Sequence, residues 1–140
     1  MDLKKTLSII KPDAIASKCQ GKILDYLENK GFKVIAQKKL KLTRKQAEAF
    51  YEIHKDRPFF SELVDFMISD NISVQVLEAE NAVSYYREVM GNTDPEKAEE
   101  NTIRKLYGSN IQCNAVHGSD SEENAEKEIS FFFNKIELIN

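Results

Sequence analysis

Hydrophobic and polar positions alternate with two different periods along this chain, and each change of period marks an element. Thr6-Leu7-Ser8-Ile9-Ile10 is a short β-rich run stopped by Pro12, and it reads as a strand. Ile23, Leu24 and Leu27 recur at helical spacing with Gly31 behind them, which predicts a helix over about residues 19–30. Between 34 and 42 the apolar Val34, Ala36, Leu40 and Leu42 share one parity with Lys38, while Gln37, Lys39 and Lys41 take the other after Ile35. That near-alternation predicts a half-buried strand.

Thr43-Arg44-Lys45-Gln46 matches a capping box. Ala47, Phe50, Tyr51 and His54 follow at helical spacing, so a helix is expected to end just before Pro58. Phe60, Leu63, Val64, Met67 and Ile68 repeat the pattern in a second helix. Residues 72–77 read as a strand. Asn81 is placed to cap a helix running to Met90, with Gly91 after it. The stretch 91–110 is polar and rich in turn formers, and Asp94-Pro95-Glu96 within it has the form of a helix start. Ala115-Val116-His117 reads as a short strand. Ser121-Glu122-Glu123 opens a last helix that turns Ala125 and Ile129 inward. This order, βα, β, αα, β, α, loop, β, α, predicts an α+β fold: a ferredoxin-like sandwich with a four-stranded antiparallel sheet and surrounding helices.

Composition narrows the function classes. The 140 residues suit one domain spanning 1–140, with 41% apolar and 31% charged side chains. Twenty Lys+Arg against 23 Asp+Glu leave a net charge of −3, so no nucleic-acid partner is expected and an anion site has to be a local cluster. No apolar run is long enough for a membrane span. Lys11 and Pro12 cut the first apolar run short of a signal sequence. Two cysteines, Cys19 and Cys113, make neither a disulfide framework nor a zinc site, and they fit a reducing cytoplasm.

The Gly-rich phosphate cradles are absent, as are the nucleophile-elbow and metalloprotease signatures. A phosphate site here has to use side chains. Asn114-Ala115-Val116-His117-Gly118-Ser119-Asp120 brings a histidine to a strand end, followed by a glycine able to turn sharply and by hydroxyl and carboxylate neighbours ahead of a helix. Neutral imidazole is a competent nucleophile near pH 7. A surface histidine in an ordinary turn is the alternative. Lys11 at the end of the first strand, Arg87, Thr93 and Arg104 are each unremarkable alone. Together they offer an ammonium, two guanidinium forks and a hydroxyl, an inventory for polyphosphate. Phe59 lies off the apolar stripe of Phe60, either as a hydrophobic staple or as a flat platform for a base. Glu128, next to the inward Ile129, is either a solvated acid or a carboxylate that orients a histidine. His54 reads as a packed, half-buried structural histidine.

Six ordered blocks carry a recognisable pattern. They are 6–13, Arg57-Pro58-Phe59-Phe60, Tyr86-Arg87, Gly91-Asn92-Thr93-Asp94-Pro95, Thr102-Ile103-Arg104 and 114–120. Over about residues 3–133 the chain resembles nucleoside diphosphate kinases, in their short bacterial-type form. The resemblance implies that a nucleoside triphosphate gives its γ-phosphoryl group to the enzyme and a nucleoside diphosphate takes it, by a ping-pong route with broad base tolerance. It makes His117 the nucleophile, phosphorylated on its δ nitrogen. It assigns Lys11 to phosphate and ribose, Arg87, Thr93 and Arg104 to the β- and γ-phosphates, Asn114 to the ribose and Phe59 to the base. It places Tyr51 in the phosphate pocket and has Ser119 and Glu128 orient the histidine. Mg2+ would ride on the nucleotide phosphates, helped at most through water by Asp120. A cytoplasmic homo-oligomer, hexamer or tetramer, is expected. Three places depart from the family pattern: Asn101 and Ala79 stand where glycine is usual, and Asp70-Asn71 replaces Gly-Pro. A non-catalytic ferredoxin-like module is the rival reading. An RNA-binding version would need an aromatic motif and a basic face.

Overall fold

The computed structural model of the chain describes residues 2–138. β1 (Leu3–Ile10) and β3 (Ile72–Glu80) lie at the centre of a four-stranded sheet, with β2 (Lys33–Leu40) outside β3 and β4 (Val116–Gly118) outside β1. Every pairing is antiparallel, and the order β2-β3-β1-β4 is the ferredoxin-like one. The helices are α1 (Pro12–Ala16), α2 (Gln20–Asn29), α3 (Arg44–Phe50), α4 (Phe60–Met67), α5 (Ala82–Met90), α6 (Ile103–Tyr107) and α7 (Glu122–Phe132).

Both faces of the sheet are covered, which is why Leu7, Ser8, Ile9 and Ile10 of β1 are all fully buried. Leu7, Ile9, Val74 and Val76 pack against Ala47, Val64, Met67, Ile129 and Phe132 of α3, α4 and α7. On the other face Ile10 and Leu77 meet Ile23 and Leu27 of α2, Tyr86 and Val89 of α5, and Ile103 of α6. Each buried Val, Leu, Ile, Met or Phe among them contributes about 1.5–3 kcal/mol by leaving water. The second face also buries polar residues, and these satisfy one another. Gln37 donates to Ser73 (3.2 Å), Ser73 to Gln75 (2.9 Å) and Gln75 to Ser8 (2.8 Å), whose hydroxyl lies 2.6 Å from that of Tyr86.

Several boundaries differ from those the pattern predicts. The helix expected to reach Pro58 stops at Phe50, and a single 3-10 turn, Glu52–His54, follows. Tyr51 leaves helical geometry (φ −99°, ψ 21°) and buries its ring in the first cluster. The predicted capping box at Thr43 is formed. Pro12 ends β1 and also starts α1, because its fixed φ suits the first helical position and Lys11 before it is extended. β1 and β3 are longer than the alternation suggests. β2 stops at Leu40 and carries a bulge between Val34 and Ala36. Asn81 precedes α5 but caps nothing with its side chain; its backbone is left-handed (φ 51°). The 91–110 stretch holds a 3-10 turn at Pro95–Lys97, capped by Asp94, and α6, capped by Thr102. Asn101 takes φ 67°, a conformation asparagine tolerates in place of glycine. Among the described residues no helix is long and apolar enough to cross a membrane.

Candidate active site

β4 is short because its work is to place one side chain. His117 pairs with Ile9 of β1 between two buried neighbours, Val116 and Gly118. Gly118 does not supply the turn that the sequence suggested. A Cβ there would sit 2.7 Å from both the Tyr86 ring and the Met90 methyl, so glycine is needed for room. The left-handed residue comes before the histidine instead, at Ala115 (φ 73°).

The imidazole is held from one side. Its Nε2 lies 3.0 Å from Glu128 Oε1, and the Ser119 hydroxyl donates to the same oxygen at 2.8 Å. Ser119 is itself fixed, since its Oγ accepts the Leu7 backbone N–H at 3.3 Å. A carboxylate accepts, so the ring proton belongs on Nε2 and Nδ1 keeps its lone pair. Among the described residues Nδ1 has no hydrogen-bond partner. The Phe50 and Tyr51 rings stand edge-on to the imidazole, at 5.6 Å and 6.4 Å between centroids.

His117 opens onto a cleft of about 220 Å³ lined by Tyr51, Arg87, Thr93, Arg104, Asp120 and Glu128. A second hollow of about 210 Å³ shares Arg87, Thr93 and Arg104, so these three border both spaces. Arg87 is exposed. Arg104 is anchored by donating to the backbone oxygens of Gly91 (3.1 Å) and Val116 (2.9 Å). Among the described residues neither arginine nor Lys11 has a carboxylate at ion-pair distance. Burial pushes the Arg104 pKa down, and nearby Arg87 adds to the push. Arg104 feels the charge of Arg87 and Lys11 that of Arg104, and only Asp13 near Lys11 opposes this, an arrangement that an incoming anion relieves.

Lys11, Asn114 and Ser119 do not line the cleft; Asn114 and Ser119 are bonded to residues that do, and Lys11 reaches it only through Asn114. Lys11 Nζ donates to Asn114 Oδ1 at 2.8 Å, and Asn114 Nδ2 donates to the Thr93 carbonyl at 3.0 Å. Burial, then repulsion from Arg104, brings the Lys11 pKa from 10.5 down to about 8. Phe59 lies apart from the cleft and is 46% exposed, its ring 5.7 Å from that of His54. His54 is half-buried, as its stripe predicts, but it also stands in the cleft wall with Phe50 and Asn124. The helical periodicity gave no sign of that, because the break at Tyr51 turns the next residues toward the site.

This geometry agrees with what the chain is similar to. Residues 4–138 match the family model described as nucleoside diphosphate kinase. The chain belongs to the nucleoside diphosphate kinase family. A relative of that name from Wolbachia sp. subsp. Drosophila simulans is 59% identical over 99% of this chain and 100% of its own length. One from Persephonella marina is 55% identical over 99% of each chain. The solved nucleoside diphosphate kinase of Aquifex aeolicus superposes with a TM-score of 0.96 at 42% identity, covering 99% of this chain and 100% of the other. That of Halobacterium salinarum, solved in complex with CDP, gives 0.95 at 35% identity, covering 99% and 93%. As a nucleoside diphosphate kinase family member the chain is a phosphotransferase, and its reaction is phosphoryl transfer between nucleotides.

Proposed function

We propose that the transfer is ping-pong, with His117 as the covalent carrier of the phosphoryl group. The observation that carries this reading is the one-sided hold on the imidazole. Among the described residues Nε2 faces Glu128 while Nδ1 has no partner, on a cleft walled by Arg87 and Arg104. In the first half-reaction the Nδ1 lone pair attacks the γ-phosphorus of a nucleoside triphosphate. The bond from that phosphorus to the bridging oxygen breaks, and the diphosphate leaves with the electron pair. The ring keeps its Nε2 proton and gains positive charge, which the Glu128 carboxylate balances. In the second half-reaction a terminal oxygen of another diphosphate attacks the same phosphorus, and the N–P bond breaks back to Nδ1.

The other residues position and neutralise, which is most of what phosphoryl transfer asks. Arg87, Thr93 and Arg104 hold the β- and γ-phosphates. Lys11 serves phosphate and ribose, and Asn114 the ribose. Tyr51 walls the phosphate pocket. Phe59 stacks on the base, and stacking without base-edge readout supports broad base tolerance. Among the described residues no group of three His, Cys, Asp or Glu side chains is placed to hold a metal. Mg2+ would arrive on the nucleotide phosphates as part of the substrate and would neutralise their charge there. Asp120, exposed on the cleft, would help hold it, at most through water. A cytoplasmic homo-oligomer, hexamer or tetramer, completes the reading on family likeness alone.

The test is steady-state transfer from ATP to GDP. Parallel double-reciprocal lines are expected, and His117→Ala is expected to lose transfer while keeping its circular dichroism. Intersecting lines, or turnover in the folded variant, would remove the covalent carrier.

A further inference from the structure

Ala115 is the least comfortable residue near the site. It is fully buried, is not glycine, and has φ 73°. The Val116 N–H donates to the Asn114 carbonyl at 2.9 Å across it, which closes a three-residue γ-turn. The positive-φ hand of that turn is the rare, strained one, and left-handed backbone costs a residue with a Cβ about 1–2 kcal/mol. Such geometry persists only where its surroundings over-determine it.

The surroundings are the end of β1 and the first turn of α1. The Ala115 carbonyl accepts the Lys11 backbone N–H at 2.8 Å, and the Ala115 N–H donates to Asp13 Oδ2 at 3.1 Å. Nothing in the proposed transfer uses Asp13. Among the described residues its other oxygen, Oδ1, is buried without a partner, and burial pushes the carboxyl pKa up. The carboxylate is poorly placed for its own stability, and its hydrogen bond runs to the strained turn.

We propose that Asp13 is a positioning residue that pins Ala115 in its left-handed turn and so sets the aim of Asn114 and His117 together. The turn joins the two. Asn114 precedes Ala115 and bonds to Lys11 Nζ and the Thr93 carbonyl, while His117 follows two residues later on β4. If Ala115 relaxed, the peptides on either side would rotate, and the amide and the nucleophile would swing relative to each other. Misplacement of about 1 Å costs on the order of a hundredfold in rate. This role rests on His117 being the phosphoryl carrier.

The experiment compares Asp13→Ala, Asp13→Asn, Ala115→Gly and the double variant Asp13→Ala/Ala115→Gly. The first reading is the single-turnover rate of phosphoprotein formation at saturating ATP. The second is hydrogen exchange at the Ala115 amide, and thermal unfolding controls for folding. Asp13→Ala is expected to slow phosphorylation by about tenfold or more and to speed exchange at Ala115. Asp13→Asn keeps an acceptor and is expected to retain most of the rate. Glycine adopts positive φ freely, so Ala115→Gly is expected to restore most of what Asp13→Ala loses. A wild-type rate in Asp13→Ala, a loss that glycine leaves unrepaired, or an equally large loss in Asp13→Asn would overturn the proposal. The exchange reading stands apart from catalysis. If the wild-type protein takes up no phosphate, the carrier reading fails, while unchanged Ala115 exchange in Asp13→Ala is the failure of the pin itself.

Discussion

Glu128 and His117 face each other at 3.0 Å from Oε1 to Nε2, across the gap between α7 and β4. The pair puts the ring proton on Nε2 and leaves the lone pair on Nδ1. Glu128→Gln substitutes a neutral amide that can donate as well as accept and that cannot balance charge on the ring. By analogy with carboxylates that orient metal-bound histidines, we predict that phosphorylation of His117 slows about ten- to a hundredfold. Affinity for ADP should change little, because the ring charge that Glu128 balances arises only when the phosphoryl group is transferred. Single-turnover phosphorylation with a parallel ADP titration checks this, and an unchanged rate would contradict it.

Lys11 makes the site sensitive to alkaline pH. Its pKa of about 8 means that the free protein begins to lose this cation in mildly basic solution. Bound phosphate favours the charged form, so ADP affinity should be flat below about pH 8 and weaken above it, by at most about tenfold per pH unit. Lys11→Met should weaken binding at pH 7 and remove that slope. The stability effect runs the other way. Between about pH 8 and 10.5 the unfolded chain holds a proton that the folded chain lacks, so this group's contribution rises with pH there. Since the folded protein carries a disfavoured charge at pH 7, Lys11→Met should raise the melting temperature. A lower one would show that its hydrogen bond to Asn114 outweighs the burial.

The two arginines should separate. Arg104 donates to two backbone carbonyls, whereas Arg87 is exposed. Arg104→Ala should cost about 1–3 kcal/mol of stability as well as nucleotide affinity. Arg87→Ala should cost affinity with stability changed by no more than about 0.5 kcal/mol. Denaturant unfolding beside ADP titration reads both, and equal stability losses would contradict the assignment.

Phe59 is half in solvent and outside the cleft, so its loss should not disturb the fold. If it stacks on the base, Phe59→Ala weakens ADP, GDP and dCDP alike by about 1–3 kcal/mol. Divergent losses among the three would call for readout of base edges instead.

Much of this was legible in the sequence. The element order alone implied the ferredoxin-like sheet, since strand and helix periods change where the chain turns. The candidate site residues could be named because short motifs carried them. Other features were hidden for identifiable reasons. The strained residue is Ala115 rather than Gly118, because glycine at 118 answers crowding from Tyr86 and Met90, and one-dimensional reading cannot tell room from turn. His54 followed a helical stripe that in fact breaks at Tyr51, so its place in the cleft wall depends on a tertiary choice. The unpaired state of Arg87 and Arg104 is likewise spatial: acids are plentiful in the sequence, but among the described residues none comes within ion-pair distance of either.

The central claim is that His117 carries the phosphoryl group. The direct test is to mix the protein with magnesium and γ-labelled ATP, isolate it, map the label, and chase with unlabelled GDP or dCDP. We predict acid-labile, alkali-stable phosphate on Nδ1 of His117 that passes to both diphosphates. Folded protein that takes up no label, or label that maps to a hydroxyl or stays through the chase, would contradict the account.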